Sequence, residues 1–326
     1  MIKKLSNKFK DDQDTGFSAK ANIQGGRLLN SNGSFNVIRK GLPFVSRLNF
    51  FHELIMMKWS KFIFVVLAFY TAMNLLFGSL YYFVGVEHLN GTAGNSELDK
   101  FLESFFFSTQ TFATVGYGRI NPTGILTNII ASLEALMGVM SLAVDTSLLY
   151  SRFSRAQAKM LYSKNMIVAP YQGISALMFR IANAGKDQLI ECELQLMVSF
   201  VINENGNANR KFLPLKLERS KVASMAMSWT VVHPLNEESP LMNFTQEDLA
   251  DADAEFILMF KAYDDTYSQV IHTRSSYKYH EIIWGAKFLP MFHASENGSA
   301  TVFEFDKINL FEQAELPLRL QKASSE

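Results

Sequence analysis

The sequence predicts an α-helical membrane segment of two spans with a short re-entrant helix between them, followed by an all-β sandwich. Three observations carry this. Phe62 to Val86 is a charge-free run of about 25 residues, and at 1.5 Å per residue it is long enough for a bilayer core of about 30 Å. A second apolar run follows from about Pro122 to Tyr150. Beyond about Asn165 the pattern changes to short stretches of period two or continuous apolar runs, including ALMFRIAN, CELQLMVSFVI, MSWTVVHPL, AEFILMF and SATVFEF. Turn signals at Asn203 to Gly206 and His233-Pro234 separate them, which is the signature of antiparallel strands.

In chain order, residues 1–40 are polar and rich in Gly, Asn, Ser and Lys, and are expected to be a flexible N-terminus. Residues 41–58 are expected to form a helix lying along the membrane surface. Within them, Leu48, Phe51, Leu54 and Ile55 alternate with His52, Glu53 and Lys58, although this pattern also suits a plain continuation of the first span. The pore-like region is placed at residues 59–155, with the first span at about 60–86. Trp59 and the pair Tyr81 and Tyr82 stand near its ends as interfacial aromatics. After an acidic, Gly-rich turn (Glu87 to Asp99), the segment FLESFFFSTQTFA is too short to cross, so a re-entrant helix is expected at about 98–113. The second span is set at about 122–153, the β-sandwich at 156–312, and a flexible tail at 313–326.

The 326 residues are 48% hydrophobic with a formal net charge of zero, which gives no global attraction to nucleic acid. A single cysteine, Cys192, excludes an internal disulfide, and the six histidines show no metal-ligand spacing. Without a phosphate loop or nucleophile motif, an enzymatic site finds no support, and no cofactor is expected. The basic residues have a direction. Arg39, Lys40, Arg47, Lys58 and Lys61 precede the first span and Arg152, Arg155, Lys159 and Lys164 follow the second, whereas the connecting segment is mostly acidic. The positive-inside rule then puts both termini in the cytoplasm of a multi-pass protein of the cell membrane.

Between the spans lies Thr114-Val115-Gly116-Tyr117-Gly118. Four copies of such a loop would replace the water around K⁺ with backbone carbonyls of Thr114, Val115, Gly116 and Tyr117. Those carbonyls must turn toward one axis, and Gly116 and Gly118 reach the necessary backbone angles without steric cost. Val115 and Tyr117 would point backwards and pack against the re-entrant helix. A bare Tyr-Gly turn is the plain alternative for the pentapeptide alone.

Several motifs in order, FFFSTQTFATVGYG, LYSRFSRA, SWTVVHPLNEESPL and YKYHEIIWGAKF, make the chain similar to the inward-rectifier potassium channels, most closely their prokaryotic KirBac branch, from about Phe44 to Phe311. The resemblance implies a homotetramer around one pore, K⁺ as the permeant ion, a slide helix at Phe44 to Lys58 and a cytoplasmic immunoglobulin-like sandwich. It places an inner gate at Tyr150, for which the alternative is an interfacial anchor, and a second constriction near Tyr267 to His272. Aligned on SRFSRA, the pore-lining stripe is Val139, Leu142, Thr146 and Tyr150. The family's usual proline after RFSR is Ala156 here. Charge and family together imply regulation by anionic lipids, including phosphoinositides, at Arg47, Lys58, Lys61, Arg152, Arg155, Lys159 and Lys164. The alternative is that these residues only signal topology.

Two acids interrupt the second span. Glu134 and Asp145 are eleven residues apart, so at about 100° per residue they share one helix face within roughly 20°. Glu134 is expected to brace the re-entrant helix through Thr109 or Gln110, making Gln110 and Glu134 the filter supports. Related channels often carry a glutamate at the Gln110 position that pairs with a basic residue after the filter, so Arg119 needs another partner. Asp145 has two readings: a wet-cavity acid that binds Mg²⁺ or polyamine blockers, or a hydrogen-bonded acid at a subunit interface.

Overall fold

The computed structural model describes residues 26–38, 40–41, 49–155, 159–204, 207–225 and 227–317, in two compact units: residues 40–155, and residues 1–39 with 156–326.

The first unit contains a short helix, Phe50–Met56, in which no residue is buried and Phe50 and Phe51 stand exposed. The Asn49 side chain accepts the His52 N–H at its start. Met57 and Lys58 are extended, so this helix is separate from the first span and does not continue into it. Arg47 and the rest of 42–48 lie outside the described residues.

The first span is Trp59–Val84 and the re-entrant helix is Glu97–Phe112, started by a reciprocal Ser96–Asp99 capping box. Two short strands, β1 (Leu89–Asn90) and β2 (Asn121–Pro122), pair antiparallel across the loops on either side of that helix. The second span therefore starts at Ile125, later than expected from Pro122, because the chain is first used in this ladder and then turns at Gly124. Glycines set the packing. A Cβ on Gly78 would stand 2.9 Å from Phe105 Cα, and one on Gly138 would stand 2.1 Å from the Phe112 carbonyl oxygen. Both spans thus touch the re-entrant helix where they have no side chain. The apolar core is small, comprising Phe77, Tyr81, Leu89, Phe107 and Ile120, while the outer faces of the spans present Ile63, Phe64, Phe83, Ile125 and Met140.

The second unit is a β-sandwich. Its strands are β3 (Met160–Tyr162), β4 (Met166–Tyr171), β5 (Ile174–Asn183), β6 (Leu189–Glu204), β7 (Asn207–Leu215), β8 (Lys221–Met225), β9 (Ser228–Pro234), β10 (Glu255–Asp264), β11 (Gln269–Lys278), β12 (Ile282–Trp284), β13 (Ala286–Phe288), β14 (Phe292–Ala294), β15 (Thr301–Phe303) and β16 (Phe311–Gln313). One sheet runs β11-β10-β6-β7 with β8 also on β6, and the other β12-β4-β5-β3 with β9 on β5. Pairing is antiparallel except for β12 with β4. The period-two pattern explains the core: Phe256, Leu258 and Phe260 of β10 meet Phe179, Val231, Leu194 and Val198 between the sheets.

The structure differs from expectation at both ends of this unit. Residues 26–36 are not loose. The Leu28 and Leu29 N–H groups donate to the Glu255 carboxylate at 2.9–3.1 Å, Arg27 pairs with Glu281 at 2.7 Å, and Leu29 is buried with Phe212 and Ile257. At the other end, β16 pairs with β13, and the Ala314 N–H donates to Gly285 O. Residues 1–25 and 318–326, like Ala156, lie outside the described residues. Of the supposed loop near Tyr267, residues from Gln269 to His272 belong to β11, leaving only Tyr267 and Ser268 at the turn.

Candidate functional site

The site is the loop that follows the re-entrant helix. Thr114, Gly116 and Gly118 have φ of 57°, 54° and 81°, alternating with Val115 and Tyr117, which do not. This alternation keeps successive carbonyls on one side of the chain. Thr114 holds its left-handed angle without glycine's freedom, a conformation that costs about 1–2 kcal/mol. The N–H groups of the loop are turned back: Ala113 to Thr109 O, Thr114 to Thr111 O, and both Val115 (2.9 Å) and Gly116 (3.2 Å) to Gln110 O. Gln110 thus meets the loop through its backbone. The carbonyls of Thr114 to Tyr117 accept no hydrogen bond among the described residues, so the donor set suits a desolvated cation.

The Val115 and Tyr117 side chains, expected to pack on the re-entrant helix, are 51% and 79% exposed.

Behind the loop sits a buried polar knot. Glu134 of the second span accepts the hydroxyls of Tyr81, at 2.6 Å, and of Ser108. Ser108 also lies 3.1 Å from Asn74 Oδ1, and Asn74 Nδ2 donates to Tyr70 O. The partners expected for Glu134, Thr109 and Gln110, are replaced by Ser108 and Tyr81, because residue 108 and not 109 faces the second span. Tyr81 is accordingly fully buried and is no interfacial anchor, whereas the Tyr82 hydroxyl reaches Glu97. Ser108, Asn74, Gly78 and Gly138 were missed from the sequence. The available signal was polarity and small size within an apolar run, which had been weighed only for the acids.

On the second span, Thr127, Glu134, Gly138 and Leu148 are buried, while Val139, Leu142, Thr146 and Tyr150 are exposed on another face, Tyr150 by 72%. Asp145 is half-buried and falls within roughly 20° of Glu134, on the buried side of the helix and off that exposed stripe. No hydrogen bond to it is found among the described residues.

Arg152 is committed locally. Its guanidinium donates to Leu54 O, Ile55 O and Met57 O at 2.5–2.8 Å and lies over the rings of Trp59 and Phe62. With these bonds it caps the short helix, while its buried Nε has no hydrogen-bond partner among the described residues. Arg155 lies against the Met56 sulfur and is exposed, as are Lys58 and Lys61, and in the second unit Lys159 and Lys164.

Residues 160–325 match the model of the inward rectifier potassium channel C-terminal domain, and residues 57–155 match the ion channel model. The chain is 38% identical over 274 residues to the inward rectifier potassium channel Kirbac3.1 of Paramagnetospirillum magnetotacticum, covering 83% of this chain and 91% of that one. It is 22% identical to the inward rectifier potassium channel irk-1 of Caenorhabditis elegans, covering 86% of this chain and 56% of that one. With the human inward rectifier potassium channel 18 it shares 22% identity over 83% of this chain and 67% of the relative. The two-span helical unit and the β-sandwich agree with these matches, and the chain belongs to the inward rectifier potassium channel family, membrane channels for K⁺ and not enzymes.

Proposed function

We propose that four copies of this chain assemble around one axis and pass K⁺ down its gradient through the carbonyls of Thr114 to Tyr117, with Gln110 and Glu134 supporting the filter. The alternating backbone of 114–118, with its N–H groups turned back to the helix, carries the reading. Exposure of Tyr117 and of the Val139, Leu142, Thr146 and Tyr150 stripe supports a tetramer in which these surfaces meet other copies or the pore. Tyr150 is the inner gate, since four such rings would close the pore by excluding water. Both termini are cytoplasmic. Anionic lipid headgroups are drawn to Arg47, Lys58, Lys61 and Arg155, with Lys159 and Lys164 extending the positive run of the chain, at about 1 kcal/mol per basic residue near the surface. Arg152 acts instead through the interfacial helix. Asp145 lies off the Thr146 stripe and away from the pore axis, which favours the reading of a hydrogen-bonded acid at a subunit interface over that of a wet-cavity acid. Mg²⁺ or polyamine block through Asp145 is therefore weak.

Uptake of ⁸⁶Rb⁺ into liposomes containing the purified chain, with and without phosphoinositide, tests this. Uptake suppressed by K⁺ or Ba²⁺ but not by Na⁺ is expected, and the lipid arm gives the sign of regulation. A folded tetramer with no uptake in any lipid overturns it.

A further inference from the structure

The outer end of the filter has its own fastening, and it centres on Glu103. This residue lies nine positions before the last residue of the re-entrant helix, so about 14 Å back along the axis. Five filter residues span at most about 17 Å, which brings Glu103 level with the outer end of the filter. Its side chain is only 16% exposed. The carboxylate accepts the N–H of Ala93 (3.0 and 3.2 Å) and of Gly94 (3.0 Å) from the loop that precedes the helix. It also receives Nη2 of Arg119, the residue directly after Gly118, at 3.4 Å.

Around this carboxylate the two loops are already pressed together. A Cβ on Gly91 would stand 1.9 Å from Arg119 O, Thr123 N–H donates to His88 O at 2.7 Å, and Leu89 and Asn90 pair with Pro122 and Asn121. Glu103 adds hydrogen bonds between these loops and the helix, beside the apolar contact of Leu89 and Ile120 with Phe107. Arg119 is 65% exposed, so its ion pair is screened and contributes direction more than energy. The hold comes from the backbone N–H groups, which are charge-assisted donors to a largely shielded carboxylate.

We propose that Glu103 is a positioning residue for K⁺ selectivity: it fixes the segment from Tyr117 to Arg119 by tying the loop before the re-entrant helix, and the residue after the filter, to the helix that carries the filter. The proposal rests on the channel reading above. Without this carboxylate the outer carbonyls lose their fixed spacing, and the pore accepts Na⁺ more readily.

The experiment compares full-length wild type, E103Q, E103D, R119Q and E103Q/R119Q in planar bilayers, reading the K⁺/Na⁺ permeability ratio, the persistence of current at low external K⁺, and the tetramer band on a gel. E103Q should lower the permeability ratio by about threefold to tenfold, the scale of one ordinary net hydrogen bond, and should shorten current at low K⁺ while the tetramer persists. E103D, too short to reach, should resemble it. R119Q should shift the ratio less, and the double variant should match E103Q alone, since the two act through one carboxylate. A wild-type ratio and wild-type persistence in E103Q overturn the proposal and leave the channel reading intact. Should E103Q and E103D fail to assemble, R119Q decides, and an unchanged ratio there overturns it. A wild type that passes no K⁺ current overturns the channel reading and the proposal with it.

Discussion

The two units bury different things. In the β-sandwich the interior is a continuous apolar layer running from Met166 to Ile282, and two of its buried cations are paired: Arg210 reaches Asp253 at 2.8 Å and Ser199 at 2.7 Å, and Lys278 reaches Asp253 at 2.6 Å, while the buried Arg180 lies over the Phe288 ring. In the membrane unit a handful of apolar side chains is supplemented by two glycine contacts and one polar knot, while most of the apolar surface faces outward. The sandwich owes its cohesion to the hydrophobic effect. In lipid that force between helices is absent, so close backbone approach and buried hydrogen bonds take its place. The membrane unit thus leaves most of its apolar surface outward, whereas the sandwich encloses an apolar layer between its sheets.

The most severe way to break this contrast is Gly138→Val. A branched side chain where Cβ already meets the Phe112 carbonyl at 2.1 Å should abolish both the tetramer and ⁸⁶Rb⁺ uptake, whereas Val139→Ala, on the exposed face, should retain assembly. Assembly and conduction by Gly138→Val would show that the glycine contact is dispensable.

Next comes Phe256→Ala in the sandwich. Emptying a fully buried phenylalanine site should cost about 4 kcal/mol and lower the thermal midpoint of the β-sheet circular dichroism signal. An unchanged midpoint would mean that this layer is not what holds the sandwich.

Glu134→Leu should be somewhat milder. It strands the Tyr81 hydroxyl without its acceptor, at about 1–3 kcal/mol for a buried group left unpaired, and leaves Ser108 only Asn74 Oδ1 to donate to. Glu134→Gln keeps an acceptor and should lose less, so tetramer heat resistance should fall in the order wild type, Gln, Leu. Equal behaviour of the two variants would remove the hydrogen bonds from the account.

The smallest effect is a pH dependence of the sandwich. His233 is buried with Nδ1 2.6 Å from Lys216 O and Nε2 2.8 Å from Ser239 Oγ, so Nδ1 carries the proton and Nε2 accepts from the serine. Burial lowers its pKa from the usual value of about 6.5. The unfolded chain therefore binds the proton more readily than the folded one. The stability that His233 contributes is present above about pH 6.5 and is lost as pH falls below it. Urea midpoints at pH 7.5 and 5.5 should differ less in His233→Gln than in wild type, and an identical difference would rule His233 out as the cause.

Much of this was legible from residue order. The charge-free run stands as one long apolar helix, Trp59–Val84, and period-two runs with turn residues between them became β5, β6, β9, β10 and β15. The positive φ of Gly116 and Gly118 was legible because glycine's backbone freedom is local. What failed was local too, but required a partner. Nothing in the order of residues 26–36 says that Glu255 accepts their N–H groups, since that carboxylate lies more than 200 residues away. Tyr81 looked like an interfacial aromatic until Glu134 was placed beside it, and Arg152 looked free until the carbonyls of Leu54, Ile55 and Met57 surrounded it.

The sequence by itself determined two spans, a re-entrant helix, a carbonyl-bearing filter loop and a β-sandwich, because length, periodicity and glycine placement act through the backbone within a few residues. Only the tertiary structure decided which polar groups satisfy one another: Glu134 with Tyr81 and Ser108, Glu103 with Ala93, Gly94 and Arg119, Glu255 with Leu28 and Leu29. A buried donor or acceptor must find its partner wherever the fold brings one within about 3 Å, and that distance is set by packing between segments far apart in the chain.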